Sequence, residues 1–160
     1  MGNSHLGYAA GIIDGEGCIG VWGNYNNACR LKRYYRLNVT VGMSDPEPII
    51  FLKNTFGGSY KKYLGRTPEH RSRYHWVLAN DLAKSFLEDI LPYLKGKREQ
   101  ALVAIEFQKV KKRRLYRPMT EEVMERHKWF SDRLKELKSE RKEVTIEQDT
   151  GVDREGSKGW

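Results

Sequence analysis

The sequence predicts an α+β fold with an αββαββα core, two β-hairpins and further C-terminal helices. Three observations point there. A glycine-spaced helical pattern opens the chain, two stretches alternate apolar and polar residues with a period of two, and apolar patterns of helical period follow each of them. At 160 residues the chain is long enough for one domain with its own core.

The first helix is expected from Ser4, as N-cap, to about Gly15. "CIGVW" reads as a short strand and "GNYNN" as a loop of turn formers. From Cys29 to Met43 the odd positions are mostly apolar and the even ones polar or basic, so one strand face meets a core and the other meets water or a ligand. "SDPEPIIFLKNTFGG" reads as a helix opened by Ser44 or Asp45, with Pro46 in its first turn and Gly57 and Gly58 closing it. "SYKKYL" and "RSRYHWVL" flank the loop "GRTPEH" as a second hairpin. Asn80 or Asp81 can cap "LAKSFLEDIL", which Pro92 stops, and "KGKREQALVAIEFQKVKKRRL" follows as a basic amphipathic helix. Thr120 can cap a last helix to about Lys142, with Val123, Trp129, Phe130, Leu134 and Leu137 as its apolar stripe. Residues 1–144 form the expected domain and 145–160 a mobile polar tail.

The formal net charge is +8, unevenly spread. Residues 1–94 carry 11 basic and 8 acidic groups, 95–117 carry 9 and 2, and 118–160 carry 9 and 11. Positive charge thus gathers before residue 118, which favours a polyanionic partner. No apolar run reaches the ~18 residues of a membrane span, and "MGNSHLGYAA" lacks the pattern of a secretory leader. Cys18 and Cys29 have no metal-ligand spacing and are too few for a disulfide framework, so reduced thiols in an intracellular protein are expected.

Gly7, Gly11 and Gly15 recur every fourth residue and share a helix face with Ala10 beside them. Three interior glycines cost roughly 2–3 kcal/mol of helix propensity. Close backbone approach offsets such a cost, either against a second copy across a two-fold axis or against the chain's own core. Asp14 and Glu16 follow at the helix end that least favours negative charge. They point ~200° apart on a regular helix, so one metal cannot easily take both. Two copies of the helix packed together would bring two Glu16 carboxylates near each other, which an oxygen-loving divalent ion would relieve. Solvated surface acids are the plainer reading of an isolated D-x-E.

"AAGIIDGEG", Ala9 to Gly17, resembles the signature of the LAGLIDADG homing endonucleases, with Glu16 where a second Asp is commoner. The predicted element order over about residues 4–113 is similar to that family's core. One copy of the motif resembles the homodimeric branch. The resemblance implies Gly7, Ala10, Gly11 and Asp14 at a subunit interface, Glu16 as catalytic metal ligand, the Gly15 carbonyl as its neighbour, and Mg²⁺ as cofactor. Asp14, at the first acidic position of the signature, reads rather as structural. "PYLKGKREQA" also resembles the family and implies Lys97 as a lysine of the catalytic pocket, where phosphate-backbone binding is the alternative. Asp45 aligns with a polar residue near the attacking water, although helix capping is its plainer role. Pro48 and Ile49 stand where relatives can carry a further basic group, a departure from the pattern.

In the family the strands form a saddle over DNA. The polar strand face here offers Arg30, Lys32, Tyr34, Arg36, Asn38 and Thr40. The second hairpin adds Arg71, Arg73 and His75, with Lys61 or Lys62 according to register. The expected protein is a homodimeric, Mg²⁺-dependent DNA endonuclease. Its partner is a long pseudo-palindromic duplex, not a membrane or a small-molecule substrate. The resemblance further implies a double-strand break with short 3′ overhangs, a role in intron or intein mobility, and a cytoplasmic, nucleoid or organellar setting. A non-cleaving RNA maturase or DNA-binding regulator of the same fold is the alternative, and Glu16 together with Lys97 argues against it.

Overall fold

The computed structural model describes residues 2–25, 33–65, 71–111 and 120–149. The element order is α1 (Asn3–Glu16), β1 (Gly17–Tyr25), β2 (Arg33–Met43), α2 (Glu47–Phe56), β3 (Ser59–Tyr63), β4 (Arg73–Ala79), α3 (Asn80–Ile90), a 3₁₀ turn (Leu91–Tyr93), α4 (Arg98–Val110) and α5 (Glu121–Asp149). The αββαββα core with extra C-terminal helices is therefore present. None of the helices is long and apolar enough to cross a membrane, among the described residues.

The two hairpins join into one antiparallel sheet of order β1-β2-β4-β3. Gly17 pairs with Val41, and Met43 with Tyr74. The apolar alternation decides which face is buried: Ile19, Val21, Leu37, Val39, Val41, Trp76 and Leu78 point to the core. Helices α1, α3 and α4 cover that side, contributing Ala9, Ala10, Ile13, Leu87, Ile90, Ala104 and Phe107. A fully buried large apolar side chain contributes about 1.5–3 kcal/mol each. Trp76 also donates its indole N–H to the Gly57 carbonyl at 2.8 Å. Gly57 and Gly58 have φ of 75° and 85°, a left-handed turn that ends α2 as the glycine pair predicts.

Several boundaries differ from expectation. Helix α1 starts two residues earlier, with Gly2 rather than Ser4 at the N-cap. Asn80 and Asp81 do not cap α3; they accept hydrogen bonds from Lys111 at 3.2 Å and Gln108 at 2.9 Å, tying α3 to α4. Trp129 is 59% exposed instead of joining the apolar stripe of α5, whose buried row is His127, Phe130, Ser131, Leu134 and Leu137. The His127 ring takes that inner place by lying edge-on to Phe107 and Tyr35. Helix α5 runs past Lys142 to Asp149, into the expected tail, whose remaining residues 150–160 lie outside the described residues. It packs along α4 and the outer edge of β1, where Ser131 donates to the Val21 carbonyl at 2.7 Å.

Candidate active centre and nucleic-acid face

Helix α1 passes into β1 without a loop. Gly17 permits this, because a Cβ there would lie 2.7 Å from the Ile13 backbone. The two acids at this junction diverge as the helical geometry requires. Glu16 is exposed. Asp14 turns to the segment before α4 and accepts backbone N–H groups from Lys95 at 2.7 Å and Lys97 at 2.8 Å. Its carboxylate is thus held by the chain's own backbone, where it fixes the segment before α4.

Lys97 closes the same junction from the other side. Its Nζ donates to the carbonyls of Ile13 at 2.7 Å and Asp14 at 2.9 Å, at the negative end of the α1 dipole. An ammonium has three donors, so one remains for a ligand. Burial, and then the nearby Arg141, lower the Lys97 pKa from the usual lysine value, while Asp14, Cys18 and Glu16 oppose the shift.

The glycine strip faces outward. Gly11 and Gly15 are exposed, Gly7 is half-buried, and a Cβ at any of the three would meet nothing within 4 Å. Among the described residues, nothing of the chain's own core packs against the strip. Ala10 is the correction here: it flanks the strip but is fully buried, on the core-facing side of α1 with Ala9 and Ile13.

Asp45 lies just beyond β2, at the sheet end where Glu16 enters β1. Its Oδ1 accepts the Glu47 N–H at 3.0 Å, at the opening of α2.

The other sheet face is open. Tyr34, Arg36, Asn38 and Thr40 of β2 share it with Arg73 and His75 of β4, as the alternation predicts. Lys61 pairs with His75 and lies on this face, whereas Lys62 pairs with Tyr74 on the opposite one, its ammonium 5.6 Å from the Tyr74 ring centre. Lys62 therefore leaves the expected set. Arg71 is exposed just before β4, and Arg30 and Lys32 lie outside the described residues. Asn38 Oδ1 is buried without a hydrogen-bond partner, an orphan acceptor in mid-face.

Two cations at this end were missed by sequence reasoning. Lys138 of α5 reaches the Cys18 Sγ at 3.4 Å and lies 5.1 Å from the centre of the Trp22 ring. Arg141 donates from Nη2 to the Asp14 carbonyl at 3.2 Å. A signal was available: positions 138 and 141 continue the row through Leu134 and Leu137, so basic residues stand where the helical period predicts burial.

The helix order and the open four-stranded antiparallel sheet match the LAGLIDADG homing-endonuclease fold. Solved structures share it. The homing endonuclease I-CvuI bound to its target in the presence of calcium has a TM-score of 0.63 at 24% identity, over 83% of this chain and 82% of that one. A complex of I-CvuI with uncleaved DNA in the presence of magnesium gives 0.64 and 23%, over 82% and 80%. The archaeal intron-encoded homing endonuclease I-Vdi141I, complexed with DNA, gives 0.55 and 18%, over 99% and 89%. In sequence, the chain is 34% identical over 65 residues to a probable intron-encoded endonuclease, aI2, of Debaryomyces hansenii. That stretch is 41% of this chain and 9% of the relative. No family model matches the sequence.

Proposed function

We propose that this chain is a site-specific, divalent-metal-dependent DNA endonuclease that works as a homodimer. The observation that carries the proposal is the bare outward strip of α1 ending in an exposed Glu16 beside the Lys97 clamp. Two copies packed along that strip bring their Glu16 carboxylates together, in line with the open faces of both sheets.

The donors suit Mg²⁺, which takes hard oxygen ligands and keeps several waters. Glu16 and the Gly15 carbonyl are oxygen donors at the right helix end. Among the described residues no three His, Cys, Asp or Glu side chains cluster as a closed site. A subunit thus offers part of a coordination sphere, which a second copy and DNA phosphates would complete. When bound, the ion supplies polarisation of the scissile phosphate and an acidified water. Lys97 places positive charge where negative charge gathers on the phosphate during displacement. Asp14 holds the lysine's backbone in position, and Arg36, Arg73 and Lys61 neutralise the duplex. The DNA-bound state of the structurally similar I-CvuI and I-Vdi141I supports this use of the sheet.

Selection of cleaved duplexes from a randomised library in Mg²⁺ supplies the substrate for the test. Glu16→Gln abolishes cleavage and leaves binding of the selected duplex within about threefold. Mg²⁺-dependent cleavage that survives in the variant overturns the metal-ligand role.

A further inference from the structure

The end of α1 carries a second cation that comes from α5, an element more than a hundred residues away in sequence. Arg141 and Lys97 donate to the same acceptor, the Asp14 carbonyl, at 3.2 and 2.9 Å. The guanidinium also lies against Gly96, where a Cβ would come within 2.7 Å of Nη2 and 2.9 Å of Cζ. The residue before Lys97 is thus bare where the planar group rests on it. Two like charges on one carbonyl repel, so packing alone gives no reason for the pair. The negative end of α1, with Asp14 and Glu16 at hand, offsets the repulsion.

We infer that Arg141 is a positioning residue of the active centre: from α5 it braces the Asp14 carbonyl and Gly96, and so holds the Lys97 ammonium in its working place. The inference rests on the nuclease reading above and assigns α5 a part in it. Helix α5 then does more than cover the edge of β1. It locks the 95–97 segment from outside while the Asp14 carboxylate locks it from within.

Two variants remove the brace by different routes. Arg141→Met keeps a long stem and loses the donors. Gly96→Ala keeps the arginine and displaces its head, which can swing aside without disturbing the fold. A charged hydrogen bond is worth about tenfold to a hundredfold. Each variant is expected to lose that factor in kcat on the selected duplex, with KM within about threefold. Arg141→Lys recovers part of the loss, and the double variant is no worse in kcat than the weaker single one, because both act on Lys97 through the same brace. Unchanged kcat in both singles, or losses that multiply in the double, overturns the inference.

A second readout needs no cleavage. Hydrogen exchange at the Lys95 and Lys97 amides is expected to quicken about tenfold or more in both variants, since these amides open when the segment is unbraced. Unchanged exchange also overturns the inference. A wild-type chain that cleaves no duplex defeats the nuclease reading instead, and the exchange rates still decide whether Arg141 braces the segment.

Discussion

Adding one methyl group at Gly11 separates the two surfaces that could use the bare strip, because its effect has opposite signs on subunit and dimer. Gly11 lies inside α1, is exposed, and has open space where its Cβ would be. Within one subunit Gly11→Ala therefore relieves the glycine penalty with no clash, a gain of about 1 kcal/mol. With a urea m-value of ~1–3 kcal/mol/M, the unfolding midpoint rises by roughly 0.3–1 M. In a two-fold seam the same methyl enters twice. Overpacking a close contact costs about 1–3 kcal/mol each time, so ~2–6 kcal/mol per dimer, or at least about thirtyfold in dissociation constant. Urea unfolding at dilutions where the wild type is monomeric measures the first effect, and sedimentation across a concentration series measures the second. An association constant within threefold of wild type refutes the seam. A lowered monomer midpoint refutes the claim that the strip faces away from its own core.

Three further outcomes follow from the geometry. Asp14→Asn retains one acceptor and turns an amide donor towards the other backbone N–H, costing about 3 kcal/mol. In a domain of this size that lowers Tm by roughly 6–12 °C, and calorimetry showing a drop under about 2 °C would refute the clamp. Lys61→Ala weakens duplex binding and lowers the salt slope by about 1, whereas Lys62→Ala, on the opposite face, leaves the slope near wild type; equal slopes in a salt titration contradict the register. Burial, and then Arg36, lower the Lys111 pKa from its ordinary 10.5, against the pull of Asp81. The folded chain therefore holds this proton less readily than the unfolded chain, so stability rises with pH between the lowered value and 10.5. Urea midpoints across that window are expected to rise more for wild type than for Lys111→Met, and parallel curves would contradict the assignment.

The strands were legible because a half-buried strand must alternate, and the face so chosen holds Arg36, Asn38, Thr40, Arg73 and His75 as expected. Gly57 and Gly58 ended α2 where expected, since a left-handed turn selects glycine locally. Asp45 showed its contact at the opening of α2 through local sequence, two residues before the N–H it accepts. Lys61 and Lys62 were not separable in sequence, because adjacent residues of a short exposed strand differ only through the pairing with β4. Trp129 looked like core by hydrophobicity, but it lies off the row that α5 presents inward.

The sequence by itself determined what depends on nearest neighbours along the chain. That includes the order of helices and strands, the side-chain-free strip of α1, and the pair of acids pointing apart at its end. Tertiary structure alone decided what depends on surfaces meeting: that the strip looks outward, that Asp14 spends its carboxylate on the Lys95 and Lys97 amides, and that α5 carries Lys138 and Arg141 to the same helix end. The physical reason is range. Backbone geometry and side-chain volume act over a few residues, whereas the docking of α5 is set by packing between surfaces that no short window of sequence contains.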